Sequence, residues 1–215
     1  MKILTVQNRM GIGDMVIFLP FIEAISKKFS TPVSILVKEN SKASQFLENN
    51  KYIDKIIILD RDENKKGSHD GLEGFFTLIS DLKKYQYDKI FIFNSSIRFN
   101  LISRLSGIKE IYQYPLFQKK NQHIIKAAQN FLKNTINLNV ESDPKILIDD
   151  ISVDTAKSKY KINKNQLNIL LGIGGSGPTK RIPIEVFLKF MKLVSAKYDC
   201  KFFLATGKNE EEQVI

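Results

Sequence analysis

A glycine turn near the amino terminus constrains this chain more than any other stretch. Asn8-Arg9-Met10-Gly11-Ile12-Gly13-Asp14-Met15 lies between the apolar run Ile3-Leu4-Thr5-Val6 and the apolar segment Val16-Ile17-Phe18-Leu19. That order reads as strand, tight turn, helix. Two glycines one residue apart allow a sharp bend and leave room for a ligand against the main chain. Asp14 then falls in the first turn of the helix, at the carboxyl end of the first strand. In open α/β sheets that edge is where ligands bind. The helix dipole favours a carboxylate there, and an ionised carboxylate at a cleft edge is a candidate general base. The plainer alternative is a residue that only compensates the dipole. A nicotinamide-dinucleotide fingerprint is disfavoured, because it wants a third glycine or an alanine where Val16 stands. Glu39, just past the second strand, is weak support for a ribose site.

Beyond the turn, apolar runs and amphipathic stretches alternate. Strands are expected at residues 2–6, 33–37, 55–60, 88–93, 110–114, 167–173 and 201–205, and helices at 14–29, 38–50, 72–85, 97–105, 121–132 and 184–198. Asn94-Ser95-Ser96 is expected to cap the helix that Gly107 stops. Residues 145–148 are compatible with a strand, and 149–165 with a short helix or linker. The polar loop 61–74 is long for a compact domain, which marks it as functional or mobile. The βαβα alternation predicts parallel sheets with helices on both faces. The expected organisation is a first Rossmann-like domain over 1–150, a linker over 151–166 and the start of a second domain over 167–215. Two strands and a helix are too few to close a sheet. The expectation is therefore of a truncated piece.

Composition narrows the partners. A net charge of +10 would suit nucleic acid, an anionic membrane or an acidic substrate. Arginine occurs only at Arg9, Arg61, Arg98, Arg104 and Arg181, however, and the lysines are scattered. No aromatic–basic interleaving suggests base stacking, so nucleic acid is not expected. A lysine-biased solvated surface is the favoured explanation, with attraction to an anionic bilayer the alternative. No apolar run approaches the roughly 18–20 residues of a membrane span, and no leader pattern is present. The single cysteine, Cys200, excludes an internal disulfide and fits a reducing cytoplasm. His69 and His123 show no metal-ligand spacing, and both are expected to be exposed.

A second glycine loop runs Gly172-Ile173-Gly174-Gly175-Ser176-Gly177-Pro178-Thr179-Lys180-Arg181-Ile182-Pro183 between a strand and a helix. Glycines, hydroxyls and two adjacent cations at a helix N-terminus suit a phosphate. The spacing is not that of a P-loop, because Pro-Thr follows Gly177, so an ATPase is not expected. An ordinary linker loop is the alternative.

Three segments in order resemble glycosyltransferase family 9, the heptosyltransferase family of the two-domain GT-B fold. They are residues 1–20 with Gly-Ile-Gly-Asp and Phe-Leu-Pro, residues 87–107 with Ser96, Arg98 and Leu105-Ser-Gly, and residues 174–183. In the last, Ile182 replaces the family's usual aromatic. The resemblance implies transfer of a sugar from a nucleotide diphosphate sugar, ADP-heptose for preference, to a glycolipid or oligosaccharide acceptor in lipopolysaccharide core assembly. It implies Asp14 as catalytic base, with inversion at the anomeric carbon. It places the donor's phosphate on Lys180, with Ser176, Thr179 and Gly175 beside it, and the acceptor near Gly13, Arg98 and Arg61. Lys65 and Lys66 are further candidates there. No metal or cofactor is implied. The family's later Asp-Ser-Gly and histidine segment is not part of this sequence, so the 215-residue chain alone is expected to be inactive. Location in the cytoplasm, with peripheral contact to the anionic inner membrane, is expected. The rival readings are a non-catalytic relative that binds sugar nucleotides and a nicotinamide-dependent oxidoreductase.

Overall fold

Five runs rich in β-branched and aromatic residues pair into one parallel sheet. They are β1 (Ile3–Gln7), β2 (Val33–Lys38), β3 (Ile53–Leu59), β4 (Lys89–Ile92) and β5 (Glu110–Gln113), in the spatial order β3-β2-β1-β4-β5. The computed structural model describes residues 1–9, 11–61, 66–116, 122–174 and 181–206. The chain divides into two compact units, Met1–Leu147 and Ile148–Ile215.

In the first unit β1 is central. Val6 lies opposite Leu36 of β2 on one side and Ile92 of β4 on the other. Helix α1 (Ile12–Phe29) leads to β2, and α2 (Ala43–Phe46) lies before β3. Helix α3 (Gly71–Tyr85) then carries the chain back across β1 to β4. Strand order therefore reverses between β1 and β4, which opens a crevice at their carboxyl ends.

Alternation along each strand sends side chains into two separate cores. Ile3, Val33, Ile35, Val37, Phe91 and Phe93 meet α1 and α5 (Ile124–Ile136) through Phe18, Ile22, Ala128, Phe131 and Leu132. Leu4, Val6, Leu36, Ile90 and Ile92 meet α3 and α4 (Ile97–Leu105) through Leu78, Leu82, Phe99 and Ile102. Each large apolar side chain so buried contributes about 1.5–3 kcal/mol. Aromatic packing orients the first core. Phe91 stacks on Tyr112 at 4.7 Å, and Phe18 meets Phe93 edge-on at 5.2 Å.

The second unit holds α6 (Asp150–Lys159), β6 (Leu167–Gly172), α7 (Ile184–Ser195) and β7 (Cys200–Ala205). Its two strands pair in parallel, Leu167 opposite Cys200. Asp149 caps α6 by accepting the Ser152 backbone N–H at 2.8 Å.

Three expectations need correction. Residues 38–50 are not one helix but a 3-10 turn, Glu39–Ser41, and the single turn of α2. Lys42 between them adopts a left-handed φ of 53°, which interrupts helical hydrogen bonding. Residues 145–148 pair with no strand, and Leu147 and Ile148 stand exposed. His69 is buried at 6% exposure, because the loop after β3 folds back and seats its ring. The ring's Nδ1 accepts the Asp60 N–H at 3.0 Å, and Nε2 lies 3.4 Å from Asp81.

The same fold-back explains Gly74. A Cβ there would come within 2.1 Å of the His69 carbonyl carbon. Gly74→Ala is expected to destabilise the protein by about 1–3 kcal/mol. A thermal melt followed by circular dichroism, showing a lowered midpoint, checks this.

Candidate functional site

The crevice is built from the residues that leave β1, β4 and β5. At the end of β1, Gln7 is almost wholly buried, and its Oε1 accepts the Arg9 backbone N–H at 2.6 Å. Among the described residues its Nε2 has no hydrogen-bond partner. Gly11 follows with φ of 105°, a conformation that side-chain-bearing residues rarely adopt. Helix α1 then starts with no side chain capping it, so its first N–H groups face outward for a ligand or water. Asp14 sits in this first turn, half-buried. Among the described residues its carboxylate makes no hydrogen bond or ion pair. A Cβ added at the exposed Gly13 would meet nothing within 4 Å, so open space lies beside the helix start.

Across the crevice, neutral amides tie the strand ends together. Asn94, after β4, donates from Nδ2 to Asn8 Oδ1 at 3.1 Å, bridging the exits of β4 and β1. Gln113, the last residue of β5, donates to the carbonyls of Asn94 at 3.1 Å and Ser96 at 2.9 Å. It accepts from Asn100 at 2.8 Å, and Asn100 in turn accepts from Arg104. Ser96 stands at the start of α4, but its side chain makes no capping bond. Asn94 Oδ1 instead accepts the Ser96 N–H at 2.9 Å.

The two arginines expected near the acceptor meet at the loop after β3. Arg98, on α4, donates to the carbonyls of His69 and Gly71, each at 2.9 Å, and lies 5.4 Å over the Phe75 ring. Burial lowers its pKa, and the nearby Arg61 adds to this. Arg61 pairs with Asp70 at 3.0 Å. Asp60 accepts the Ser68 N–H at 2.7 Å, and that backbone donor holds its carboxyl below the ordinary 3.8. Asp14 and Gly13 thus share the start of α1, while Arg61 and Arg98 organise the neighbouring loop. Gly175, Ser176, Thr179 and Lys180 lie outside the described residues, as does Lys65. Among the described residues no three His, Cys, Asp or Glu side chains converge as a metal site. No helix of theirs is long and apolar enough to cross a membrane.

Sequence reasoning missed Gln7 and Gln113, and read Asn94 only as part of a helix cap. The available signal was an amide standing at the end of an apolar strand, where a further hydrophobic residue would be ordinary.

The first unit, with its crevice between β1 and β4, is a Rossmann-like α/β fold of the kind found in GT-B proteins, and the β6-α7-β7 unit that follows repeats its strand–helix–strand pattern. Among solved structures the chain is similar to a glycosyl transferase family 9 protein from Veillonella parvula, with a TM-score of 0.66 at 20% identity over 97% of this chain and 70% of that one. It is similar also to E. coli ADP-heptose lps heptosyltransferase II, with a TM-score of 0.69 at 14% identity over 100% of this chain and 71% of that one. The E. coli heptosyltransferase WaaC with ADP gives 0.61 at 14% identity over 99% and 70%. No family model matches the sequence, and no curated protein matches it either.

Two outcomes follow from the loop. Arg98→Lys cannot span both carbonyls and is expected to cost about 1–3 kcal/mol in a urea melt. Asp60 has a depressed pKa, so its contribution is present above 3.8 and is lost as pH falls through its lower folded value. The difference in melting temperature between the native protein and Asp60→Asn is expected to be full at pH 7 and to shrink below pH 3.8.

Proposed function

We propose that this chain supplies the acceptor side, and the opening of the donor side, of an inverting glycosyltransferase of the heptosyltransferase type. The observation that carries the reading is Asp14. It is a carboxylate with no partner among the described residues, on an uncapped helix start beside an open glycine turn. The fold shared with solved glycosyltransferases supports it. The donor is a nucleotide diphosphate sugar. ADP-heptose is favoured because WaaC is described with ADP and with ADP-2-deoxy-2-fluoro heptose. The acceptor is a glycolipid or oligosaccharide of the lipopolysaccharide kind, and the lysine-rich chain suits peripheral contact with an anionic inner membrane.

In this reading Asp14 takes the proton of an acceptor hydroxyl as that oxygen attacks the anomeric carbon. The new C–O bond forms on the face opposite the departing diphosphate, whose C–O bond breaks, so configuration inverts. Lys180, with Ser176, Thr179 and the Gly175 backbone, stabilises the charge that collects on the diphosphate. Asp14 suits the task because no described residue engages its carboxylate. Gly13 leaves the space through which the acceptor oxygen approaches. Arg61 and Arg98 hold the loop that borders the acceptor side.

The test uses the protein that carries this chain, incubated with nucleotide sugars including ADP-heptose and a lipopolysaccharide core acceptor. Release of nucleoside diphosphate is expected with one donor, with kcat falling at least about a hundredfold in Asp14→Asn. Saturable nucleotide binding with no turnover on any donor would overturn transfer. Gly13→Ala is expected to leave stability in a urea melt unchanged or raise it by up to about 1 kcal/mol through helix propensity. The same change is expected to raise the acceptor KM, since the added methyl occupies space that only the ligand uses.

A further inference from the structure

Helices α3 and α4 carry large apolar side chains on the side that faces away from the sheet. On α3, Leu72 is 80% exposed and Phe76 65%, and on α4, Ile97, Leu101 and Leu105 are each about half exposed. Helices α1 and α5, which cover the opposite face of the sheet, leave only Ile12 exposed in this way among the described residues. The apolar exposure is therefore concentrated on one face of the first unit.

The five side chains form one strip. The two helices run side by side in the same direction. Arg98, near the start of α4, donates to the Gly71 carbonyl at the start of α3 at 2.9 Å, and Ser106, just past α4, donates to the Ile79 carbonyl farther along α3 at 3.4 Å. Leu72 stands two turns from Ile79 on α3, and Leu105 two turns from Arg98 on α4, so the exposed rows begin on the sides where the helices meet. Phe76 continues the first row, and Leu101 and Ile97 the second, at four-residue spacing. An exposed apolar strip rimmed by polar residues marks an interaction surface.

Charge decides the partner. Lys83 lies three turns beyond Leu72 on the same side of α3, Arg104 adjoins Leu105, and Lys109 follows α4, and all three are exposed. None of them pairs with an acid among the described residues. The acids of α3 are already engaged, Glu73 by Lys66 at 3.1 Å and Asp81 by Lys84 at 2.7 Å. A two-fold contact with a second copy would bring two such sets of cations into one interface, where like charges repel. An anionic bilayer takes both components: apolar side chains enter the boundary between headgroups and acyl chains, and the cations meet lipid phosphates. We propose that the outer face of α3 and α4 is the surface by which this protein lies on an anionic membrane. The proposal rests on the peripheral contact inferred above and gives it a face. Both helices start at the carboxyl edge of the sheet, the edge that carries Gly11 and Asp14. The crevice thus opens beside the lipid surface, where the sugars of a glycolipid stand.

Co-sedimentation of the protein that carries this chain tests it, with vesicles of phosphatidylcholine alone and of equal parts phosphatidylcholine and phosphatidylglycerol. Sedimentation with the anionic vesicles is expected. Phe76→Ser with Leu101→Ser is expected to weaken it at least about tenfold. Lys83→Gln with Lys109→Gln is expected to weaken it about fivefold for each charge removed, with binding to the neutral vesicles unchanged. All four side chains are exposed, so the melting temperature of each variant is expected to match that of the native protein. Vesicle binding unchanged in both variants would remove this face and leave the membrane contact standing, whereas no binding by the native protein would remove both. A dimer in sedimentation equilibrium that Phe76→Ser with Leu101→Ser dissociates would overturn the proposal in favour of a second copy. Nucleoside diphosphate release with a water-soluble acceptor is expected to be equal in every variant. Its absence from the native protein would remove the transferase reading and leave the vesicle result to decide this face.

Discussion

A sheet whose strands all run in one direction must be covered on both faces, and the first unit is arranged around that requirement. Each crossover has to pass over one face or the other. Helices α1 and α5 cover one, and α3 and α4 cover the other. The change of side occurs where α3 crosses back over β1, so the connections that leave β1 and β4 turn to opposite faces and a crevice remains at the strand ends. The crevice therefore follows from the covering of the sheet. The same hydrophobic burial that stabilises the unit positions Gly11, Asp14 and Asn94 on opposite lips.

What lines those lips divides by charge. Between strand ends the ties are amide to amide or amide to carbonyl, as in Asn94 with Asn8 and Gln113 with Ser96. Such bonds are directional and insensitive to pH and salt, so they set position without adding a field. Apart from Arg9 and Asp14 the described ions are kept a step away, around the loop after β3, where Arg61, Asp70, Asp60 and Arg98 bind one another or the backbone. Among the described residues the Asp14 carboxylate takes part in neither set of bonds.

Much of this was legible in the residues. Ile3-Leu4-Thr5-Val6 before Gly11, and Lys89–Ile92 before Asn94, are short apolar runs ended by turn residues, and both became strands. Periodicity placed α1, α3 and α4 to within a few residues because their buried faces repeat at helical spacing. The failures share a cause. His69 looked exposed because its sequence neighbours are polar, yet its burial comes from Asp60 and Asp81, nine and twelve residues away. The bond of Asn94 to Asn8 spans 86 positions. Tyr114 reads as the last residue of an edge strand, yet it packs edge-to-face on Phe93 and Phe131 and its hydroxyl is buried. Local pattern reports which face a residue takes. It does not report what arrives on that face from elsewhere in the chain.

The isolation of Asp14 separates two kinds of selection. Gly11 is retained by the backbone alone, because its φ excludes nearly every other residue whether or not a ligand ever binds. Asp14 has no backbone constraint of that kind and no side-chain partner among the described residues, and only the helix dipole favours it. Drift under pressure for folding only would erode it silently, with no loss of expression or solubility to mark the change. A lineage in which it persists while nearby surface positions scatter would be recording chemistry and not architecture.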